Sequence, residues 1–206
     1  MNIDEYIIFD WKGDSNIQPL TKSKSKKLYS IFLESKDNRI HEFQKLLGKN
    51  IKLDFSENSL DYIWYWLCDE VKKSNFYKNY PPIKDQTTDF INGSYVPPIF
   101  RSIANDISIY IAEMWFIKIP ELEWKLVLSN SVEGSNHPGI TGFPQAVKNF
   151  TYPITYYIYK LIYAIAAGYR TSSNRSLIRQ YCFKLPEYKG KGLGHLPKLP
   201  EDLLQT

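Results

Sequence analysis

Two carboxylates stand in the apolar segment SIANDISIYIAEMWFIKIPELEWKLVL, which covers residues 102–128. Asp106 and Glu113 are seven residues apart. On a helix they would lie on nearly the same side, about 10 Å apart along the axis. That separation is too long for both to bind one metal ion, which needs a spacing of three or four residues. It falls near the outer limit for the paired carboxylates of an inverting glycosidase.

Two interpretations of these carboxylates follow. In the first, Asp106 and Glu113 are structural anchors, held by ion pairs or hydrogen bonds from a neighbour such as Arg101 or Arg170, because a charge beside a core needs a partner. In the second, they join His137 in a cleft and form the site of a hydrolase-like enzyme, which requires a pocket and a perturbed pKa. Both carboxylates flank the apolar stripe of their helix, and this position favours the anchor.

The other histidines and the two cysteines form no recognisable site. The three histidines are scattered, and none has the HxH or HExxH spacing of a metal site. Cys68 falls in an apolar helical pattern and Cys182 in QYCF, and neither has a CxxC neighbour. The glycines of GKGLGH at 190–195 lack the strand and helix that flank a phosphate loop or a dinucleotide fingerprint. We therefore expect no metal, no cofactor and no catalytic cysteine.

The composition indicates a globular chain with a large core. Of its 206 residues, 43% are hydrophobic and 16% aromatic, and a compact chain of this size buries roughly 70% of its unfolded surface. We expect one domain over 1–206, with 186–206 as an extended or flexible basic tail. From Arg170 onward there are seven basic and three acidic residues, which accounts for the whole net charge of +4. A nucleic-acid protein with a basic body is therefore not expected, although a local anionic contact stays open.

One segment, FTYPITYYIYKLIYAIAAGY at 150–169, has the length of a membrane span. Lys160 lies at its middle, Pro153 near its start, and tyrosines run through its body, whereas tyrosine prefers the two membrane interfaces. The segment is predicted to be a buried helix over 153–168, with no membrane partner. The N-terminus carries acids where a signal peptide has positive charge, so a cytoplasmic location is expected.

Hydrophobic periodicity and capping signals place the remaining elements. The predicted helices cover 28–47 (one helix, or two broken at ESKDNR), 53–73 with Ser56 as N-cap, and 98–118 stopped by Pro120. The predicted strands cover 122–128 and 139–143, with a further short strand at 5–11, and a Pro-rich loop spans 79–98. The fold class is α+β: a helical N-terminal half packed on a small antiparallel sheet, with the Tyr-rich buried helix near the C-terminus.

Three segments together resemble a loose group of uncharacterised bacterial single-domain proteins. They are LDFSENSLDYIWYWL, IANDISIYIAEMWFIKIPELEWKLV and NHPGITGFP, within roughly residues 40–150. The matching positions are Asp106, Tyr110, Glu113 and Trp124, and Ala112 stands where the group has glycine. Some members look like immunity proteins of polymorphic toxin systems. The resemblance implies a protein partner, such as a toxin domain, and supplies no catalytic residues.

Two functions therefore remain. The first is a non-enzymatic protein-binding domain of immunity type, with Trp124 as a further structural anchor and with Trp66, Arg175, Arg179 and Lys189 as interaction residues. The second is the hydrolase-like enzyme described above. Aromatic residues interleaved with the basic C-terminal stretch also fit single-stranded nucleic acid, but a solvated surface explains them more simply. The sequence does not specify the oligomeric state.

Overall fold

A computed structural model describes residues 3, 6–9, 21–79, 96–128, 137–144, 150–189 and 195–205. The helices are α1 (Lys22–Leu47), α2 (Glu57–Ser74), α3 (Phe76–Asn79), α4 (Pro98–Lys118), α5 (Ile154–Ala166) and α6 (Ser176–Phe183). The strands are β1 (Glu123–Leu126), β2 (Pro138–Thr141) and β3 (Thr151–Tyr152). A mostly helical chain with one small antiparallel sheet confirms the α+β class.

The first long helix, α1, is continuous. The side chain of Thr21 accepts a hydrogen bond from the Lys24 amide at 3.3 Å and caps its start, and Gly48, with φ of 72°, follows its end. The polar segment ESKDNR does not break the helix: Glu34, Asp37 and Asn38 are exposed to solvent, whereas Arg39, the last residue of the segment, is buried. Of the two alternatives for 28–47, the single helix is observed.

Helix α4 is the centre of the fold and is buried nearly all round. Every residue from Phe100 to Ala112 is buried, and the helix packs against α1 on one side and α5 on another. Pro98 occupies the first turn, where its missing N–H costs nothing. Its observed bounds confirm the helix predicted at 98–118. A helix surrounded by protein has no solvent face, so its polar side chains need partners from neighbouring elements.

The sheet has the strand order β1-β2-β3 and is antiparallel throughout. Trp124 lies opposite Ile140, which in turn lies opposite Tyr152. Along β1, exposed residues alternate with half-buried ones, as expected for a strand with one covered face. The strands predicted at 122–128 and 139–143 are confirmed in position. The strand predicted at 5–11 is wrong for the described residues 6–9, which lie outside the sheet.

The Tyr-rich segment forms the buried helix α5, which agrees with the prediction for 153–168. Tyr156 and Tyr159 are buried, and the ammonium of Lys160 lies 4.5 Å from the ring centroid of Tyr156. Of the helices in the described ranges, none combines the length and the apolar character that crossing a bilayer requires.

The C-terminal stretch contains a helix that the sequence patterns did not predict. Helix α6 packs against α2, and its Leu177, Ile178, Tyr181 and Cys182 are buried. Its eight residues are too few for a clear helical period. Within 186–206, the described residues include two 3-10 turns, and the Tyr62 hydroxyl of α2 donates a hydrogen bond to Asp202 at 2.7 Å.

Trp124 joins the sheet to α1 and α4. Its ring lies edge-on to Phe32 at 4.8 Å and to Phe116 at 6.2 Å, although the residue is half-buried. Trp124→Ala should lower the free energy of unfolding by about 3 kcal/mol, the low end for a large aromatic. Urea unfolding measures this, with the exposed Lys125→Ala as control. A loss below about 1 kcal/mol would contradict the packing role.

Gly142 ends β2 at a position where only glycine fits. Its φ is +97°, and a Cβ there would lie 2.5 Å from the Glu121 carbonyl oxygen, whereas Gly168, with φ of +78°, has nothing within 4 Å. Gly168→Ala should cost about 1 kcal/mol from left-handed strain alone. Gly142→Ala should cost about 1–3 kcal/mol more, because of the clash. Equal losses in thermal unfolding would contradict the close approach.

Candidate functional site

Asp106 lies at the middle of α4 and is wholly buried. Its Oδ1 accepts a hydrogen bond from Arg39 Nε at 2.8 Å, and its Oδ2 accepts one from Arg39 Nη2. Arg39 comes from α1 and is itself 3% exposed. A guanidinium and a carboxylate joined by two parallel hydrogen bonds form the strongest common ion-pair geometry.

The same guanidinium holds the N-terminal residues. Its Nη1 donates to the Ile7 carbonyl at 2.6 Å, and its Nη2 donates to the Tyr6 hydroxyl at 2.6 Å and the Ser102 hydroxyl at 3.1 Å. The guanidinium carbon also lies 4.9 Å from the centroid of the Tyr6 ring. Arg39 therefore connects α1, α4 and residues 6–9 through one buried charge.

Burial acts on both charges of this pair. It raises the pKa of Asp106 and lowers the pKa of Arg39 to about 10. Arg39 therefore stays a cation at neutral pH. Among the described residues, only the side chain of Arg39 donates hydrogen bonds to the Asp106 carboxylate. These bonds replace the hydrogen bonds to water that Asp106 loses on burial. With both oxygens occupied and no exposure, Asp106 has the environment of an anchor.

Glu113 has a different partner on α1. Lys36 Nζ lies 2.8 Å from its Oε1, and the two side chains are 22% and 26% exposed. Both carboxylates are thus held by α1, and the expectation that Arg101 or Arg170 would hold them is wrong. Arg101 instead donates to the Val96 carbonyl at 2.8 Å.

His137 stands at the start of β2 and is buried. Its ring meets Tyr159 edge-on at 6.2 Å, and the Tyr159 hydroxyl donates to Asn105 at 3.4 Å. Within the described part of the chain, neither Asp106 nor Glu113 has His137 as a hydrogen-bond partner. The three residues of the hydrolase hypothesis therefore have separate surroundings.

The predicted interaction residues differ in their contacts and in their exposure to solvent. Arg175 is bound in a second bidentate pair, with its Nε 3.0 Å from Oδ1 of the buried Asp61. Trp66 is half-buried and meets Phe43 edge-on at 6.0 Å. Arg179 is half-buried, and Lys189 is exposed.

A cluster that sequence reasoning missed surrounds Lys184, which follows α6. Its Nζ lies 3.9 Å from the ring centroid of Tyr152, 5.2 Å from Phe183, 5.6 Å from Phe150 and 6.0 Å from Phe143. We call these four rings and the ammonium the Lys184 patch. Phe143 follows β2, and Phe150 and Tyr152 lie at β3, whereas Phe183 ends α6 and Lys184 follows it. Only Phe183 and Lys184 are neighbours in the sequence, so the sequence alone did not show the cluster.

The Lys184 patch is open to solvent on one side. Phe183 is 78% exposed and Phe150 is 36% exposed, whereas Phe143 and Tyr152 are buried beneath them. Beneath these two rings lies Trp115, edge-on to Phe143 at 5.5 Å. The patch therefore joins two buried rings of the core to two rings that are exposed at the surface.

The charge of Lys184 has no anion beside it in the described ranges. The ion pairs there involve other lysines and arginines, and burial among the rings lowers the pKa of Lys184. Aromatic faces attract an ammonium, but they do not replace the hydrogen bonds that water or a carboxylate would give. An anion of a partner bound here would contact an ammonium that burial has already removed in part from water.

The two thiols are placed for packing. Both Cys68 and Cys182 are free and buried, and burial raises the pKa of each to about 12. Such thiols carry little thiolate at neutral pH, so they are poor nucleophiles. In the described part of the chain, no three His, Cys, Asp or Glu side chains are grouped to hold a metal ion.

Comparison with family models, curated proteins and solved structures found no match, so no relative's activity bears on these sites.

The two carboxylates should respond differently to loss of charge. Asp106→Asn leaves Arg39 buried without its counter-ion and should cost about 3–5 kcal/mol. Glu113→Gln breaks a pair in partial contact with water and should cost less than about 1 kcal/mol. Guanidinium unfolding of both variants measures the contrast. Similar losses would show that Arg39 and Asp106 do not form the buried anchor.

Proposed function

We propose that this chain is a non-enzymatic protein-binding domain and that the Lys184 patch is its binding surface. The observation that supports the proposal is the exposure of Phe183 and Phe150 around an ammonium that has no carboxylate beside it in the described residues. Rigid aromatic rings at a surface have a large area to bury and little conformational entropy to lose, which is why they dominate interface hot spots.

The chemistry of the patch favours a partner that offers a carboxylate among apolar groups. The carboxylate would reach Lys184, while neighbouring apolar side chains would cover Phe150 and Phe183. The basic excess from Arg170 onward would steer an acidic surface toward this end of the molecule. Of the predicted interaction residues, Arg179 and Lys189 belong to this basic excess, whereas Arg175 is bound by Asp61.

The narrower form of the proposal is an immunity-type protein that neutralises a toxin domain in the cytoplasm. Its support is the resemblance of the α2, α4–β1 and β2 segments to a loose group of uncharacterised bacterial proteins, some of which look like immunity proteins. The engagement of Asp106 by Arg39 and of Glu113 by Lys36 also supports it. An immunity protein needs an exposed, preformed surface and no catalytic group. The hydrolase alternative has no observation in its favour, because Asp106 is wholly buried.

Capture experiments with the full chain test the patch. Phe183→Ser and Lys184→Glu should each remove a specific partner from the proteins retained by the wild type. Lys184→Glu should also weaken binding more than Lys184→Ala, because the new carboxylate would repel the carboxylate of the partner. For the captured partner, calorimetry should give an affinity at least about tenfold weaker with Phe183→Ser, equivalent to 1.4 kcal/mol.

Tyr169→Ser is the matched control, because Tyr169 is 76% exposed and is not one of the rings around Lys184. It should retain the partner. Loss of the partner in the control, or its retention in both patch variants, would contradict the proposed surface. Co-expression then tests the narrower form: the partner should arrest growth alone and should not do so with the wild-type chain.

A further inference from the structure

Residues 6–9 cross α1 and α4 as an irregular segment, which we call the strap. Beneath it lie Arg39 from α1 and Ser102 and Asn105 from α4, which we call the strap floor. Ile7 and Ile8 are 60% and 50% exposed, and Tyr6 is buried at 4%. The strap thus lies at the surface, with one aromatic side chain turned into the core.

The floor binds the strap mainly through its main chain. The Phe9 amide donates to Ser102 Oγ at 2.7 Å, and Asn105 Nδ2 donates to the Phe9 carbonyl at 3.1 Å. Arg39 Nη1 donates to the Ile7 carbonyl at 2.6 Å. Main-chain groups are common to all peptides, so this part of the recognition does not depend on which side chains the bound segment carries.

Two side chains add selectivity. The Tyr6 hydroxyl accepts from Arg39, and the ring of Phe9 packs against Phe32 at 6.3 Å. The floor and the neighbouring Phe32 therefore fit a segment with a tyrosine followed, three residues later, by an aromatic residue.

The residues of the strap floor also have contacts outside the strap. Asp106 fixes the guanidinium of Arg39 from the other side, and Ser102 and Asn105 are one turn apart on the rigid helix α4. If the strap left, water would reach these polar groups, and the floor would exchange its hydrogen bonds to the strap for hydrogen bonds to water. The floor residues are thus positioned by contacts that do not involve the strap.

An open cavity of about 420 Å³ runs beside the strap. Tyr6 and Ile8 line one side of it, and Ile99, Phe100 and Lys73 are among the residues that line the other. The cavity therefore borders the strap at Tyr6, the residue whose ring enters the core.

We propose that the strap floor is a peptide-binding site, and that residues 6–9 occupy it as a ligand supplied by the chain itself. The partner it fits is a peptide segment of a second polypeptide with the Tyr-x-x-aromatic pattern. Residues 10–20 tether the strap to α1, which gives it an effective concentration on the order of millimolar. A free peptide therefore binds only where the strap is weakened or where the peptide concentration is similarly high.

The probe is a labelled synthetic peptide of residues 1–12, titrated by fluorescence anisotropy into full-length chains. It should bind the double variant Tyr6→Ala/Phe9→Ala at least about tenfold more tightly than the wild type, because the internal competitor is weakened. Ile7→Ala is the matched control: it changes an exposed strap side chain, keeps the carbonyl that Arg39 binds, and should behave as the wild type.

Two further arms test the chemistry of the floor. A peptide with its own Tyr6→Ala change should bind the double variant at least about tenfold more weakly than the parent peptide. Adding Ser102→Ala to the double variant should weaken the parent peptide similarly. Lys184→Glu should leave peptide binding unchanged, which separates this inference from the proposed protein-binding surface. Equal binding to wild type and double variant, or indifference to the peptide's tyrosine, would overturn the inference.

If the double variant does not unfold cooperatively, the wild-type chain provides the test. With the chain labelled by ¹⁵N and the peptide unlabelled at millimolar concentration, exchange of the Phe9 amide hydrogen should become several-fold faster, because the strap is displaced. Amides in the interior of α4 should not change. An unchanged exchange rate at Phe9 would overturn the inference.

Discussion

The guanidinium of Arg39 and the carboxylate of Asp106 are both removed from water, and each is tolerable there because the other is present. Helix α4 is buried from Phe100 to Ala112, so a charge at its centre must be met by a neighbouring helix, and α1 supplies it. That requirement sets how α1 lies against α4. The Arg39 guanidinium also has donors that point away from Asp106, and these donate hydrogen bonds to Tyr6 and Ile7. Such pairs do not necessarily add net stability, but losing one partner is costly, so the arrangement is specific.

A second bidentate pair joins the half-buried Arg175 to the buried Asp61. It joins the turn before α6 to α2, where the Trp64 indole N–H also donates to the carbonyls of Thr171 and Ser172. Both pairs engage arginine with two hydrogen bonds. Lys184 is placed differently, because its charge meets only rings among the described residues. Arg39 and Arg175 are each hydrogen-bonded to a carboxylate, so they stabilise the fold. Lys184 has no carboxylate partner among the described residues, and the Lys184 patch is therefore the candidate binding surface.

Sequence patterns predicted most of the elements and much less of the sites. Helices α2 and α4 were predictable because caps, apolar stripes and prolines act within a few residues. Helix α6 and the two-residue strand β3 were missed, since short elements carry too little periodicity and are stabilised by what they pack against. Asp106 was predicted to be an anchor, but its partner was sought among Arg101 and Arg170. Arg39 lies 67 residues from Asp106 in the chain and has no local pattern that points to it.

By itself, the sequence determined the class of the fold, the position of its buried helices and the need for Asp106 to find a partner, because burial of apolar side chains and the cost of an unpaired charge are local properties. Only the tertiary structure decided which cation meets which anion, that four aromatic rings surround Lys184, and that residues 6–9 lie on α1 and α4 instead of joining the sheet. These outcomes depend on contacts between residues far apart in the chain, and such contacts are specified by the packing of the whole molecule.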